Sequence, residues 1–159
     1  KLLQEQGYHC HYRILGGGGY LEALAFARHQ LGLDDIVEFL GAQPHSEVRK
    51  QMQWADIFLH AAVSEGFGNA VLEAQAMQLP VVCSDADGLG ENVKHGESGY
   101  VVPRRDANAL AEKLALLASD PELRVKMATA GRARVQQHFQ LDQQIYAFEK
   151  IYQDLLSQK

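Results

Sequence analysis

The chain has 159 residues, enough for about one domain. It is 47% hydrophobic and 22% charged, which excludes a disordered chain, and no apolar run approaches the roughly 18 residues that span a bilayer. Fifteen Lys and Arg against twenty Asp and Glu leave a net charge of -5, which argues against a dedicated nucleic-acid binder.

The chain opens at Lys1 in Leu-Leu-Gln-Glu-Gln-Gly, the pattern of a helix tail closed by Gly7. From a tail with no beginning and no Met, the chain is expected to be a piece of something longer. Strand-like runs rich in β-branched and aromatic residues then fall at 12–15, 36–40, 57–60, 81–84 and 100–102. Helical patterns alternate with them at 20–31, 46–54, 69–78 and 106–118. Val48, Met52 and Ala55 share one helix face, and Leu110, Leu114 and Leu117 another. Ser46 and Asp106 are the expected N-caps, and Asp120-Pro121 opens a further helix. The terminal helix, 140–157, sets Ile145, Phe148, Tyr152 and Leu155 on one stripe, expected to pack on something large or, in this chain, to be exposed or paired with another chain. Continuous apolar strands alternating with helices predict an α/β fold, a parallel sheet with helices on both faces. Cys10 and Cys83 make no disulfide framework and fit a reducing, cytoplasmic compartment.

In such sheets ligands lie beyond the carboxyl ends of the strands, so the turns carry the information. Gly16-Gly17-Gly18-Gly19 suits either the edge of a ligand site or a tight turn of positive φ. It is no dinucleotide fingerprint, because Leu21 or Glu22 stands where the third Gly belongs, and no P-loop Gly-Lys-Ser/Thr follows. The segment 64–73, Ser-Glu-Gly-Phe-Gly-Asn-Ala-Val-Leu-Glu, says more. Gly66 and Gly68 open space at a helix N-terminus, and the N–H groups from Gly68 to Val71 would face an anion. Glu73, about one turn in, would repel a phosphate but accept from vicinal hydroxyls such as a ribose offers. Glu65, before the turn, could accept from the hydroxyls of a second polar group. A phosphate cradle flanked by two hydroxyl-reading carboxylates complements a nucleotide sugar. Taken singly, Glu73 is a favourable charge near a helix start and Glu65 a solvated loop residue; their joint placement favours a site.

Written EGFGNAVLE, the stretch from Glu65 to Glu73 resembles the Glu-x7-Glu motif of retaining GT-B glycosyltransferases, most of all family 4. The resemblance covers almost the whole chain. Trp54-Ala55-Asp56-Ile57-Phe58-Leu59 is similar to the strand before that motif, and Glu73 to Val82 resembles EAMAxGxPVV. Gly88-Leu89-Gly90-Glu91 resembles the GGxPE loop, with Gly90 in place of Pro, and Gly96 to Val102 resembles GxxGxLV. His60 stands where the family often has Pro or a small residue.

The resemblance implies a Rossmann-like domain, the C-terminal half of a GT-B fold with its first strand missing. Residues 1–159 would form the nucleotide-sugar donor-binding domain, truncated at its amino end and including the terminal helix. Glu65 would be the catalytic carboxylate on the transferred sugar, and Glu73 would hold the ribose. Gly66, Phe67, Gly68, Asn69 and Ala70 would line sugar and diphosphate, with Gly17, Gly18 and Gln43 beside the nucleotide. The donor would be a hexose of UDP or GDP type, bound without cofactor or metal. The acceptor would be a carbohydrate or lipid-linked group, as in polysaccharide biosynthesis. By the resemblance, the acceptor-binding N-terminal domain, and the Arg and Lys that clamp phosphate, would lie outside this chain. By itself the chain is therefore expected to bind donor weakly and transfer nothing. Peripheral membrane association would run through the other domain. In the family that strand lies mid-sheet, so its absence is expected to leave a cleft or to require another chain. A non-catalytic nucleotide- or sugar-binding module and a GT-B epimerase or phosphorylase-like enzyme stay open as alternatives.

The remaining polar residues have plainer readings. His9 and His11 alternate near a strand but lack a carboxylate to complete a metal set. His60 could bond the donor or satisfy a buried loop. Arg104-Arg105 could draw phosphate, although a solvated loop fits better. Lys94 and His95 read as helix-end cations, and Cys83 as core.

Overall fold

A computed structural model describes residues 1–157. In chain order the elements are α1 (Leu2–Glu5), β1 (Tyr12–Leu15), α2 (Leu21–Gln30), β2 (Val37–Gly41), α3 (His45–Trp54), β3 (Phe58–His60) and α4 (Asn69–Ala76). They continue as β4 (Val81–Ser84), α5 (Leu89–Asn92), β5 (Gly99–Val102), α6 (Ala107–Ser119), α7 (Pro121–His138) and α8 (Leu141–Ser157). All strand pairs are parallel. The strands form two sheets, β1-β2 and β3-β4-β5, rather than one. β1 and β3 are not paired with each other, so each has one strand neighbour among the described residues, β2 and β4 respectively.

The three-stranded sheet is covered on both faces. Val81 and Cys83 of β4 meet Met52, Val71, Ala74 and Leu89 from α3, α4 and α5. Val82, pointing the other way, meets Leu117 and Met127 from α6 and α7. This is why β4 opens on three apolar residues in a row, Val81 to Cys83, with no alternation. Burial pushes the Cys83 thiol up to about 12, so it is packing and not a nucleophile at neutral pH. The β1-β2 layer is thinner, and α2 contributes no fully buried residue. No helix among the described residues is long and apolar enough to cross a membrane.

Local signals explain most boundaries. Gly7 takes φ +85°, and the N–H groups of Gly7 and Tyr8 close α1 onto Gln4 and Leu3. Asp106 and Asp120 accept from the N–H groups of Ala109 and Leu123, both at 2.9 Å, as N-caps should. Ser46 does not cap: α3 begins one residue earlier behind an extended Pro44, whose carbonyl takes the Glu47 and Val48 N–H groups. The stretch Gly88 to Glu91, which resembles the GGxPE loop, runs into the short helix α5. Lys94 and His95 lie beyond it and bond locally, to Glu97 and to the Val101 backbone. Helix α8 forms as predicted; none of its residues is buried and its apolar stripe stands exposed, with Phe148 and Tyr152 at 52% and 64%.

One helix end carries strain. At the close of α4 the left-handed position is held by Gln78, at φ +60°, where the family pattern has Gly. Its N–H and that of Leu79 close the helix onto Gln75 and Ala74. A Cβ costs energy in that conformation, so Gln78→Gly should raise the unfolding free energy by about 0.5 to 1 kcal/mol. Urea titration measures it; an unchanged midpoint would mean that Gln78 is unstrained.

Candidate functional site

The loop between β3 and α4 is built by sterics. Gly68 precedes α4 at φ +85°, and a Cβ there would fall 2.4 Å from Leu89 Cδ2. A glycine is therefore required on both backbone and packing grounds. Val71 donates back to the Gly68 carbonyl at 3.0 Å, so the expected row of free amides shortens to Gly68, Asn69 and Ala70. Those three N–H groups have no acceptor among the described residues. Gly66 and Phe67 are exposed beside them, with the Phe67 ring 6.1 Å from that of Phe139.

The two carboxylates differ. Glu73 is half-buried and lies beyond the first turn of α4, with no hydrogen-bond partner for its carboxylate among the described residues. A dipole benefit fades within the first turn, so helix stability alone is a weak reason for a charge here. Glu65 is engaged: its Oε2 sits 3.1 Å from His60 Nε2, whose ring stacks on Phe58. The contact is a hydrogen bond when Nε2 carries a proton, since an ionised carboxylate only accepts. Thus His60 satisfies Glu65, a pairing that neither sequence reading of this histidine contained.

The loop is clamped from the β4–α5 side. Ser84 Oγ donates to the Ala62 carbonyl and Arg104 Nη1 to that of Val63, at 3.1 Å. The Gly88 N–H reaches the Glu65 carbonyl at 3.4 Å, and Asn92 Nδ2 donates to the Phe67 carbonyl. Gly88 lies so close that a Cβ would stand 2.6 Å from Gly66 O. Behind this, Gln75 Nε2 and Arg134 Nε hold the Asn92 carbonyl at 3.1 and 3.2 Å. Arg104 is thus no free phosphate attractor but a structural tie. Asn92, Gln75 and Arg134 carry no recognisable motif, and only the three-dimensional crossing of α4, α5 and α7 reveals them.

Gly17, Gly18 and Gln43 gather at the carboxyl end of the other sheet. The Gly16 N–H bonds the Gly41 carbonyl at 2.8 Å and joins the two turns. Gly16 at φ +124° meets the turn reading, while Gly17 and Gly18 are exposed with open space where a Cβ would be. Gln43 folds back, its Nε2 donating to the Leu40 carbonyl. A cleft near the amino ends of β1 and β2 is lined by charges already paired, Arg13 with Glu38 and Arg28 with Asp34. His9 and His11 are exposed, and no cluster of three metal-ligating side chains occurs among the described residues.

The chain can now be set beside known proteins. Residues 1–134 match the family described as glycosyl transferases group 1. WcaL of Salmonella typhimurium, a glycosyltransferase provisionally named for colanic acid biosynthesis, is 36% identical over 146 residues, covering 87% of this chain and 36% of that protein. The GDP-mannose-dependent alpha-(1-6)-phosphatidylinositol monomannoside mannosyltransferase of Mycobacterium tuberculosis is 34% identical over 136 residues, covering 81% and 35%. The solved structure of Anabaena HepE in complex with UDP-glucose is similar at a TM-score of 0.80 and 25% identity, covering 92% of this chain and 41% of that one. The chain therefore spans little more than a third of the length of these curated relatives. With its two parallel sheets flanked by helices and the match over most of its length, the chain belongs to the glycosyl transferases group 1 family and has the α/β architecture of GT-B enzymes.

Proposed function

We propose that this chain is the nucleotide-sugar donor-binding domain of a retaining glycosyltransferase that moves a hexose from a nucleoside diphosphate sugar to a carbohydrate or lipid-linked acceptor. The observation that carries the reading is the free amide row at Gly68, Asn69 and Ala70, flanked by Glu65 on one side and an unpartnered Glu73 on the other. The amides and the α4 dipole would meet the diphosphate, a role that needs no metal. Preorganised donors of this kind stabilise the charge that grows on a departing diphosphate. Glu73 would take the ribose, Glu65 the hexose, and Gly66 and Phe67 would line the sugar. Gly17, Gly18 and the Gln43 turn would border the nucleotide. The relatives' names support a nucleoside diphosphate hexose, GDP-mannose in one case and UDP-glucose in another. An exposed free Cys10 is in keeping with work in the cytoplasm. The acceptor would be held by a further domain, so this chain alone would bind donor weakly and not transfer.

Glu65→Gln tests the assignment. The loss of charge at one hydroxyl contact should weaken the sugar nucleotide roughly fivefold and leave the bare nucleotide unchanged. Calorimetric titration with UDP, GDP and their glucose and mannose conjugates gives both numbers. Equal losses for the two ligand types would remove Glu65 from the hexose.

A further inference from the structure

One carboxylate outside the Glu-x7-Glu motif governs the loop that carries Glu65. Asp87 Oδ2 accepts from Ser64 Oγ at 2.9 Å and from the backbone N–H of Glu65 itself at 3.1 Å. Its other oxygen lies 3.7 Å from Arg104 Nη1. Arg104 is anchored in turn, its backbone N–H and Nε standing 2.8 and 3.3 Å from Asp85 Oδ1. The same Nη1 holds the Val63 carbonyl. One guanidinium thus ties Asp85, Asp87 and the start of the loop together.

The arrangement is held under strain. Asp87 sits at φ +37°, in the left-handed region that a residue with a Cβ rarely occupies. Such positions persist where the surroundings over-determine them, and they cluster at functional sites. The hydrogen bond from the Glu65 N–H, then that from Ser64, with Arg104 adding its charge, hold the Asp87 carboxyl below its ordinary value. Asp87 is therefore ionised across the physiological range and keeps its acceptor role.

We infer that Asp87 is a positioning residue for Glu65 and sets where that carboxylate meets the hydroxyls of the donor's hexose. The inference rests on the donor-site reading above. Glu65 is gripped at three points: its N–H by Asp87, its carbonyl by the Gly88 N–H and its carboxylate by His60. The amides of residues 68–70 and Glu73, which would hold the nucleotide, lie outside this grip. Loosening Asp87 should therefore cost recognition of the sugar and spare the nucleotide.

The test is an NMR titration of the parent, Asp87→Ala, Asp87→Asn, Glu65→Gln and the Asp87→Ala/Glu65→Gln double variant. The ligands are UDP, GDP and their glucose and mannose conjugates. Asp87→Ala should weaken the sugar nucleotide by no more than the roughly fivefold of Glu65→Gln, by about threefold to fivefold, and change the bare nucleotide by less than about twofold. Asp87→Asn, which keeps an acceptor oxygen, should recover most of the loss. In the Glu65→Gln background Asp87→Ala should add little, because a residue that acts through another is not additive with it. Equal loss of both ligands, or a full extra loss in the double variant, overturns the inference. If Glu65→Gln alone leaves sugar selectivity intact, the donor-site reading fails and takes the positioning role with it. Hydrogen exchange without ligand gives an independent readout. Asp87→Ala should speed exchange at the Glu65 amide and leave the β4 amides unchanged. A Glu65 amide as protected as in the parent overturns the inference whatever the ligands do.

Discussion

Leu89→Ala should lower the unfolding free energy by about 2 to 5 kcal/mol, the range for deleting a buried leucine side chain. Leu89 is fully buried and packs in the cluster of Val71, Ala74, Val81, Cys83 and Val93. It is also the residue against which Gly68 is pressed, since a Cβ on Gly68 would meet Leu89 Cδ2. The truncation therefore opens a cavity directly under the α4 N-terminus. Leu117, equally buried but on the opposite face of β4, makes the control. Leu117→Ala should cost a similar amount in urea titration with an unchanged slope. Only Leu89→Ala should also speed amide exchange across 66–70, because only that cavity lies behind the loop. Equal acceleration in both variants would show that the loop reports global stability and is not seated on Leu89.

What the sequence made legible follows from where the information is local. β4, with all four residues buried, could be read from the non-alternating apolar run Val81-Val82-Cys83, because a strand covered on both faces has no solvent side to alternate with; buried Ser84 ends it. The caps at Asp106 and Asp120 were legible because each bonds an amide three residues on. Ser46 misled because the competing signal, Pro44, acts through backbone geometry and moves the start by one residue. The split of the sheet between β1 and β3 followed from the resemblance to a family, not from any residue pattern. In the site, Glu65 and Glu73 stood out by spacing, whereas their supports did not. His60 meets Glu65 across five residues, and Asp87 meets it across twenty-two. Asn92 reaches Phe67 from another crossover. Such partners are fixed by how two loops cross above parallel strands. The fate of the α8 stripe was beyond the sequence for a different reason. Periodicity says that a face is apolar and is silent on what covers it.

Glu73→Ala should weaken binding of bare nucleotides and sugar nucleotides alike, by about tenfold or more. A charge-assisted hydrogen bond contributes about 1.5 to 3 kcal/mol, and about 1.4 kcal/mol is a factor of ten. Two features make the prediction clean. The Glu73 carboxylate has no partner among the described residues, so its removal leaves no buried group orphaned. Its position beyond the first turn of α4 limits any loss of helix stability to well under the roughly 1 kcal/mol that a first-turn charge supplies. A folded variant with weakened binding would then report ligand recognition directly. The pattern across ligands carries the argument. Ribose is common to UDP, GDP and their conjugates, so the loss should be uniform for Glu73→Ala, whereas for Glu65→Gln it should appear only with the hexose attached. Calorimetric titration of both variants against the same ligands separates the two carboxylates. A Glu73→Ala protein that binds like the parent would take the ribose away from Glu73 and leave the amide row at Gly68 to Ala70 without its nucleoside anchor.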